Sequence, residues 1–374
     1  MSDAPITAVR SVRAIHSVRS LRLLDFARRR LLWAVLAAYV CAALLPGPGL
    51  VWRAAVLVMP GLPGLGEVPL TISAVLLGFV LFTAAFGIQP GLLAELARRP
   101  VALITGVCAN VILPLLALPL LALGVHLWPH GGRSASLLVG IALIGAMPVA
   151  AGATVYGARA GANTALTVAV VLASTVLSPV TLPLTLAEAA RLTGGAACED
   201  LSRLSRTAGG AFALVSVVLP CVAALFARRL LPERFVRSVL PWVKLAALVA
   251  SVALTYLNAA GALGAVVKQP DVPLLVADVL AAAAMCTASL ACGHWLGRVM
   301  KLARPEAIAV TVSSGMNNSS ASAVLAATRL VDQPAVLVPV LAYSVIQKIA
   351  VCAVDSLLSR DRPPRRPGTP IPGI

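Results

Sequence analysis

Thr311-Val312-Ser313-Ser314-Gly315-Met316-Asn317-Asn318-Ser319-Ser320 puts seven hydroxyl or amide side chains into ten residues. The apolar segment 305–328 around it is long enough to cross a bilayer, which takes about 20 predominantly apolar residues. Paired asparagines at membrane depth are costly unless protein or a water-filled path satisfies them. A second interrupted stretch lies far upstream: Gly145-Ala146-Met147-Pro148-Val149-Ala150-Ala151-Gly152-Ala153-Thr154-Val155-Tyr156-Gly157. Tight helix packing accounts for its glycines and alanines, but not for Asn317-Asn318.

Working outward from these two stretches, apolar segments fall at 31–45, 69–87, 101–125, 135–158 and 163–187. A second set falls at 208–227, 239–263, 273–297, 305–328 and 334–358. Each interrupted stretch is the fourth segment of its set. Five is odd, so the second set starts from the opposite face and the halves are inverted repeats. The expectation is an all-α membrane protein of about ten transmembrane helices, two inverted five-helix repeats with helices 4 and 9 broken. Broken helices in matching positions point to a transporter site where the repeats meet. A channel fits the repeats equally well.

Composition agrees. The 374 residues are 59% hydrophobic and 12% charged, about half the charge of soluble domains. The chain divides into a basic N-terminal arm (1–30), a first repeat (31–187), an external loop (188–207), a second repeat (208–358) and a Pro/Arg-rich tail (359–374). Pro46, Pro48, Pro60 and Pro63 mark the first connecting loop. The net charge of +16 sits in the arm, the tail and short gaps, without interleaved aromatics, which excludes a nucleic-acid surface. With both termini inside, 21 of the 30 Lys and Arg lie on the cytoplasmic side and seven outside, as inner-membrane topology requires. The seven cysteines form no CxxC, and Cys198 alone falls in a loop. No metal or cofactor motif is present; the expected partners are the lipid bilayer and a small-molecule substrate. Composition carries no information on oligomeric state.

The run Pro148 to Thr167, followed by Ala173-Ser174-Thr175-Val176-Leu177-Ser178-Pro179-Val180-Thr181-Leu182-Pro183, resembles the bile acid:sodium symporter family. There a Pro- and Gly-rich crossover precedes a helix with Ser-Thr-Leu-x-x-Pro and a later Pro. Ser313 to Asn318 with Ser319 resembles that family's second crossover, Glu-x-Gly-Met-Gln-Asn-Ser. The resemblance covers residues 31–358. It implies a panel domain (first, second, sixth and seventh helices), a core domain in which helices 4 and 9 cross, alternating access and organic anions as substrates. By motif position it implies substrate contacts at Asn318, Asn317 and Thr154, and at Gln347 and Lys348 on the last helix. It implies sodium ligands at the positions of Ser313, Asn317, Thr154 and Thr167. The family's crossover Glu is Ser313 here, its Gln is Asn317, its small-polar Ser-Asn pair is Ala153-Thr154, and a threonine is Val171.

A sodium site takes several oxygens and benefits from a carboxylate. Without one, the coupling ion is open between sodium and the proton. Lys348, near the middle of the last segment, is then expected to serve as counter-charge to the anion, or to pair with Asp278 or Asp355. Lys244 is expected to snorkel to the cytoplasmic face. An arsenite or other efflux permease of the same superfamily would place a cysteine at the first crossover and a Glu at the second, and neither is present. An intramembrane serine protease is the distant alternative; Ser314 and His294 are its only materials, without a supporting motif.

Overall fold

Why the chain bends near residue 45 is the first thing its local chemistry explains. In the computed structural model, α1 (Trp33–Leu44) and α2 (Pro46–Ala54) meet at 93°. Pro46 cannot donate back into α1, but it suits the first turn of a new helix. At the bend the Leu45 carbonyl accepts from the Tyr256 hydroxyl at 2.8 Å, and the Tyr256 hydroxyl oxygen in turn accepts from Gly49 N at 3.1 Å. The stretch from Pro46 read as the start of a loop is therefore helix as far as Ala54. The structure describes residues 33–58, 69–88, 100–126, 134–193, 195–207, 212–268 and 271–359, with a few positions between 23 and 31. The basic arm falls almost wholly outside the described residues, as does the tail beyond its first position.

A two-stranded antiparallel pair, β1 (Val56–Val58) and β2 (Pro69–Thr71), follows. Then come α3 (Ile72–Phe86), α4 (Pro100–His126), α5 (Ser134–Ala146), α6 (Gly152–Ala160), α7 (Thr164–Leu192) and α8 (Gly195–Thr207). After a π-helical turn, Ala213–Val218, the chain forms α9 (Leu219–Leu230), α10 (Glu233–Lys268), α11 (Val272–Val299), α12 (Arg304–Gly315) and α13 (Ser319–Arg329). A 3-10 turn, Pro334–Val336, leads into α14 (Leu337–Ser359). The all-α expectation holds, with one short strand pair as the exception.

Six of these helices are long and apolar enough to cross a membrane, and seven if the bent pair α1–α2 counts as one span. The expected fourth and ninth spans fall below that length because each is broken into two short rods, α5 with α6 and α12 with α13. The external loop expected at 188–207 is mostly helix. α7 runs on to Leu192, and α8 carries Cys198 while burying Ala197, Leu201 and Leu204 on one face. Their i, i+4, i+7 spacing is that of an amphipathic helix.

The chain forms two compact units, Met1–Ile88 with Leu219–Ala260, and Gln89–Val218 with Gly261–Ile374. The first gathers the first and second apolar segments, residues 219–227 of the sixth and most of the seventh. Residues 208–218 of the sixth fall in the other unit, so the division matches the panel set that the resemblance implies only in part. Within it α3 packs along α9, with Gly78 against Pro220 and the Cys221 thiol 3.9 Å from Leu81 O. Lys244 of α10 lies half-buried beside Gly87. At the α9–α10 turn Arg228 and Arg237 reach Glu233 at 2.6 and 3.2 Å. The second unit holds the remaining helices and both breaks.

The crossover of two broken helices as candidate transport site

The second unit is organised around two backbone breaks that lie side by side. α5 ends at Ala146 and α6 starts at Gly152; α12 ends at Gly315 and α13 starts at Ser319. Between them Val149 and Asn317 form an antiparallel bridge. Ala150 N donates to Met316 O at 2.7 Å, and Asn318 N to Pro148 O at 2.9 Å. Each break thus satisfies part of the other's backbone, the condition for non-helical chain inside a membrane protein.

Side chains satisfy the rest. A helix end leaves carbonyls without partners, and α5 and α12 both end at the crossing. Asn317 Nδ2 donates to Ile144 O at 3.0 Å, and Ser322 Oγ reaches Leu143 O at 3.3 Å. Gly315 O accepts from the Tyr343 hydroxyl at 3.1 Å and from Cys286 Sγ at 3.7 Å. Val149 N donates to Ser174 Oγ at 3.1 Å. Asn317 Oδ1 accepts from Asn110 Nδ2 of α4 at 2.9 Å. Asn317, with no solvent exposure, thereby ties α4, α5 and the α12–α13 break together.

Asn318 caps α13, its Oδ1 accepting from Ala321 N at 3.1 Å, which leaves its Nδ2 without a partner among the described residues. Thr154 stands in the first turn of α6, half-buried, its hydroxyl on Ala151 O at 2.8 Å. Thr167 is buried at the start of α7, bonded to Asn163 O at 3.0 Å and packed on Gly157. Ser313 Oγ and Gln347 Oε1 are buried without a hydrogen-bond partner. Gln347 Nε2 donates to Ser319 Oγ at 3.1 Å, so α14 is tied to the first residue of α13. Lys348 folds back on its own helix, Nζ lying 2.8 Å from Ser344 O and 3.0 Å from Ser344 Oγ. It forms no ion pair with Asp278, and the Asp355 side chain lies outside the described residues.

Asn317, Asn318 and, through Ser319, Gln347 are joined at the crossing; Thr154 and Thr167 bond locally instead. Sequence reasoning passed over Asn110, Ser174, Ser322 and Tyr343 as contributors. Asn110 carried the available signal, an amide within an apolar span. Ser314 Oγ lies 2.8 Å from both Ser289 O and Thr311 O, and His294 is exposed, so the Ser–His pair is not formed. No group of three or more His, Cys, Asp or Glu side chains that could hold a metal occurs among the described residues.

Two crossed broken helices within a multi-pass helical chain are the architecture of a secondary-transporter core. A profile of the sodium bile acid symporter family matches residues 74–269. The chain is 30% identical over 280 residues to the "Uncharacterized sodium-dependent transporter YocS" of Bacillus subtilis (strain 168), covering 72% of this chain and 78% of that protein. It is 30% identical over 228 residues to "Uncharacterized protein YbaS" of the same organism, covering 60% and 69%. The chain belongs to the sodium bile acid symporter family and is a multi-pass membrane protein of the transporter type.

Proposed function

We propose that this protein carries a small organic anion across a bacterial-type inner membrane by alternating access, in ten crossings with both termini in the cytoplasm. One observation carries the reading: α6 and α13 both begin beside the Val149–Asn317 bridge. Helix N-termini present unpaired N–H groups and partial positive charge, which attract anions. Lys348 supports it, since α14 packs against both α6 and α13 and its amine bonds only Ser344 among the described residues. A lone amine at membrane depth costs at least ~2.5 kcal/mol on insertion scales, and an anionic cargo offsets that cost. In this reading Asn318 Nδ2, the Thr154 hydroxyl, Gln347 and Lys348 contact substrate, and Asn317 keeps the crossing in shape.

Transport is independent of sodium in this reading. Ser313 stands where the family pattern has a carboxylate, and no Asp or Glu side chain bonds a crossover residue among those described. Sodium coupling is the second reading, favoured by the printed name of the Bacillus relative. There Ser313 Oγ, Gln347 Oε1 and backbone carbonyls would supply the oxygens.

A thermal-shift screen of organic acids on purified protein, in sodium and in potassium, identifies the ligand. Binding at 100 times Kd stabilises the folded state by about 2.7 kcal/mol. Proteoliposome uptake of that ligand is expected to be equal in the two salts and to fall at least ~10-fold in Lys348→Met, about 1.4 kcal/mol of lost binding. A strict sodium requirement transfers the case to the second reading, and undiminished uptake by Lys348→Met removes the counter-charge.

A further inference from the structure

One ionisable side chain in the second unit is used by neither the crossover nor the anion reading. Asp278 lies on the second turn of α11 and is 2% exposed. It heads the stripe Ala281, Ala282, Met285, Cys286 and Ser289, by which α11 faces the interior of that unit. Further along the stripe, Cys286 donates to Gly315 O, and Ser289 O accepts from Ser314. Both contacts lie at the end of α12 that forms the crossing. Asp278 and the crossover therefore share one rigid element, about 12 Å apart along its axis.

Among the described residues nothing donates to the Asp278 carboxylate and no cation pairs with it. α11 packs against α4, α5, α12 and α14. α5 bears no titratable group, and α4 bears Cys108 and His126, the latter's side chain lying outside the described residues. α12 bears Arg304 and Glu306 at its far end; α14 bears Tyr343, Lys348, Cys352 and Asp355. On α11 itself stand Cys286, Cys292, His294 and Arg298. The charge that bears on Asp278 is Asp271, the N-cap of the same helix, and it is of like sign.

An ionised carboxylate buried in a membrane-embedded unit without a cation is strongly disfavoured. The group must carry either a cation or a proton. Sodium takes several oxygen ligands, and among the described residues no Ser, Thr, Asn or Gln side chain bonds Asp278. A proton needs the carboxylate alone. We propose that Asp278 binds and releases the proton that drives the anion across, which rests on the secondary-transport reading above. The carboxylate takes H⁺ from water on the side of higher proton concentration and returns it as H⁺ on the other. One proton moving with one monovalent anion leaves the cycle electroneutral.

Two measurements on the full chain in proteoliposomes test this. Infrared difference spectra between mildly alkaline and mildly acidic buffer read proton binding without any substrate. A protonated-carboxyl band is expected in the wild type, absent in Asp278→Asn and shifted in Asp278→Glu. The same band in Asp278→Asn, or no such band in the wild type, overturns the proposal. Uptake of a radiolabelled mixture of small mono- and dicarboxylates then reads coupling. An imposed pH gradient should drive accumulation up to about tenfold per pH unit for one proton per anion. Asp278→Asn should keep exchange of the anion within about twofold while losing the response to the gradient; Asp278→Glu should regain it. A full gradient response in Asp278→Asn overturns the coupling role. Should the wild type take up none of the mixture, the organic-anion reading fails, and the infrared band still decides proton binding.

Discussion

Asn317 shows how much a single amide does when backbone is opened inside a membrane protein. Its two polar ends are both engaged, one by Asn110 and one by Ile144 O. Leaving a buried partner unmatched costs about 1–3 kcal/mol per group. Asn110→Ala strands the Asn317 oxygen alone, while Asn317→Ala strands the Asn110 amide and takes from the Ile144 carbonyl one of its two donors, the other being Met147 N. Thermal unfolding should therefore rank wild type above Asn110→Ala and Asn110→Ala above Asn317→Ala. The double variant should show a coupling of about 0.5–3 kcal/mol; identical melting temperatures for all of them would mean that the amide bridge carries no stability. Asn318 is a different case. Its cap on α13 is worth about 1 kcal/mol, so Asn318→Ala should melt only slightly lower yet lose transport. Normal uptake by that variant removes Asn318 from the substrate site.

At the scale of elements, close helix contacts hold the crossing in place. Gly145, one residue before the end of α5, packs on the ring of Pro114 in α4, with Met285 of α11 beside it. A proline ring cannot swing away, so Gly145→Ala should destabilise by about 1–3 kcal/mol through overpacking. Gly124, in α4 itself, has nothing within 4 Å of the place a Cβ would occupy. Gly124→Ala should instead stabilise by about 0.4–1 kcal/mol by restricting the unfolded chain. Melting temperatures moving in opposite directions would bear this out; a parallel loss in both would mean that α4 tolerates no added volume anywhere. A glycine of a third kind ends α6: Gly161 has a φ of 85° and donates back to Gly157 and Ala158. That left-handed turn aims the chain at Asn163, which caps α7 by accepting from Leu166 N at 3.0 Å.

For the whole molecule the testable quantity is sidedness. The proposed topology places α8 outside, with half-buried Cys198 upon it. After replacement of the other cysteines, of seven in all, an impermeant thiol reagent should label Cys198 in intact cells or spheroplasts. Labelling only after lysis would overturn the ten crossings or their orientation. Distribution of Lys and Arg supports the inside assignment of the termini, and that signal needs no structure because it depends on which gaps hold the charge.

Apolar length and periodicity are local properties, so the sequence alone established a helical membrane chain, its segment order and the two interrupted segments. The unexplained amides at 317 and 318 pointed to the crossing for the same reason: a polar side chain in an apolar run has to be satisfied by something. What satisfies it is a matter of tertiary structure. Asn110 is 207 residues from Asn317 and Ile144 is 173, and no local pattern couples positions so far apart. Nor could composition distinguish Thr154, bonded to its own turn, from Asn317, bonded across three segments. The helix at 195–207 was missed because its mixed polar and apolar residues read as loop until a neighbour covers one face. Tertiary packing likewise decided that Lys348 turns back to Ser344 while Asp278 is left buried without a partner among the described residues.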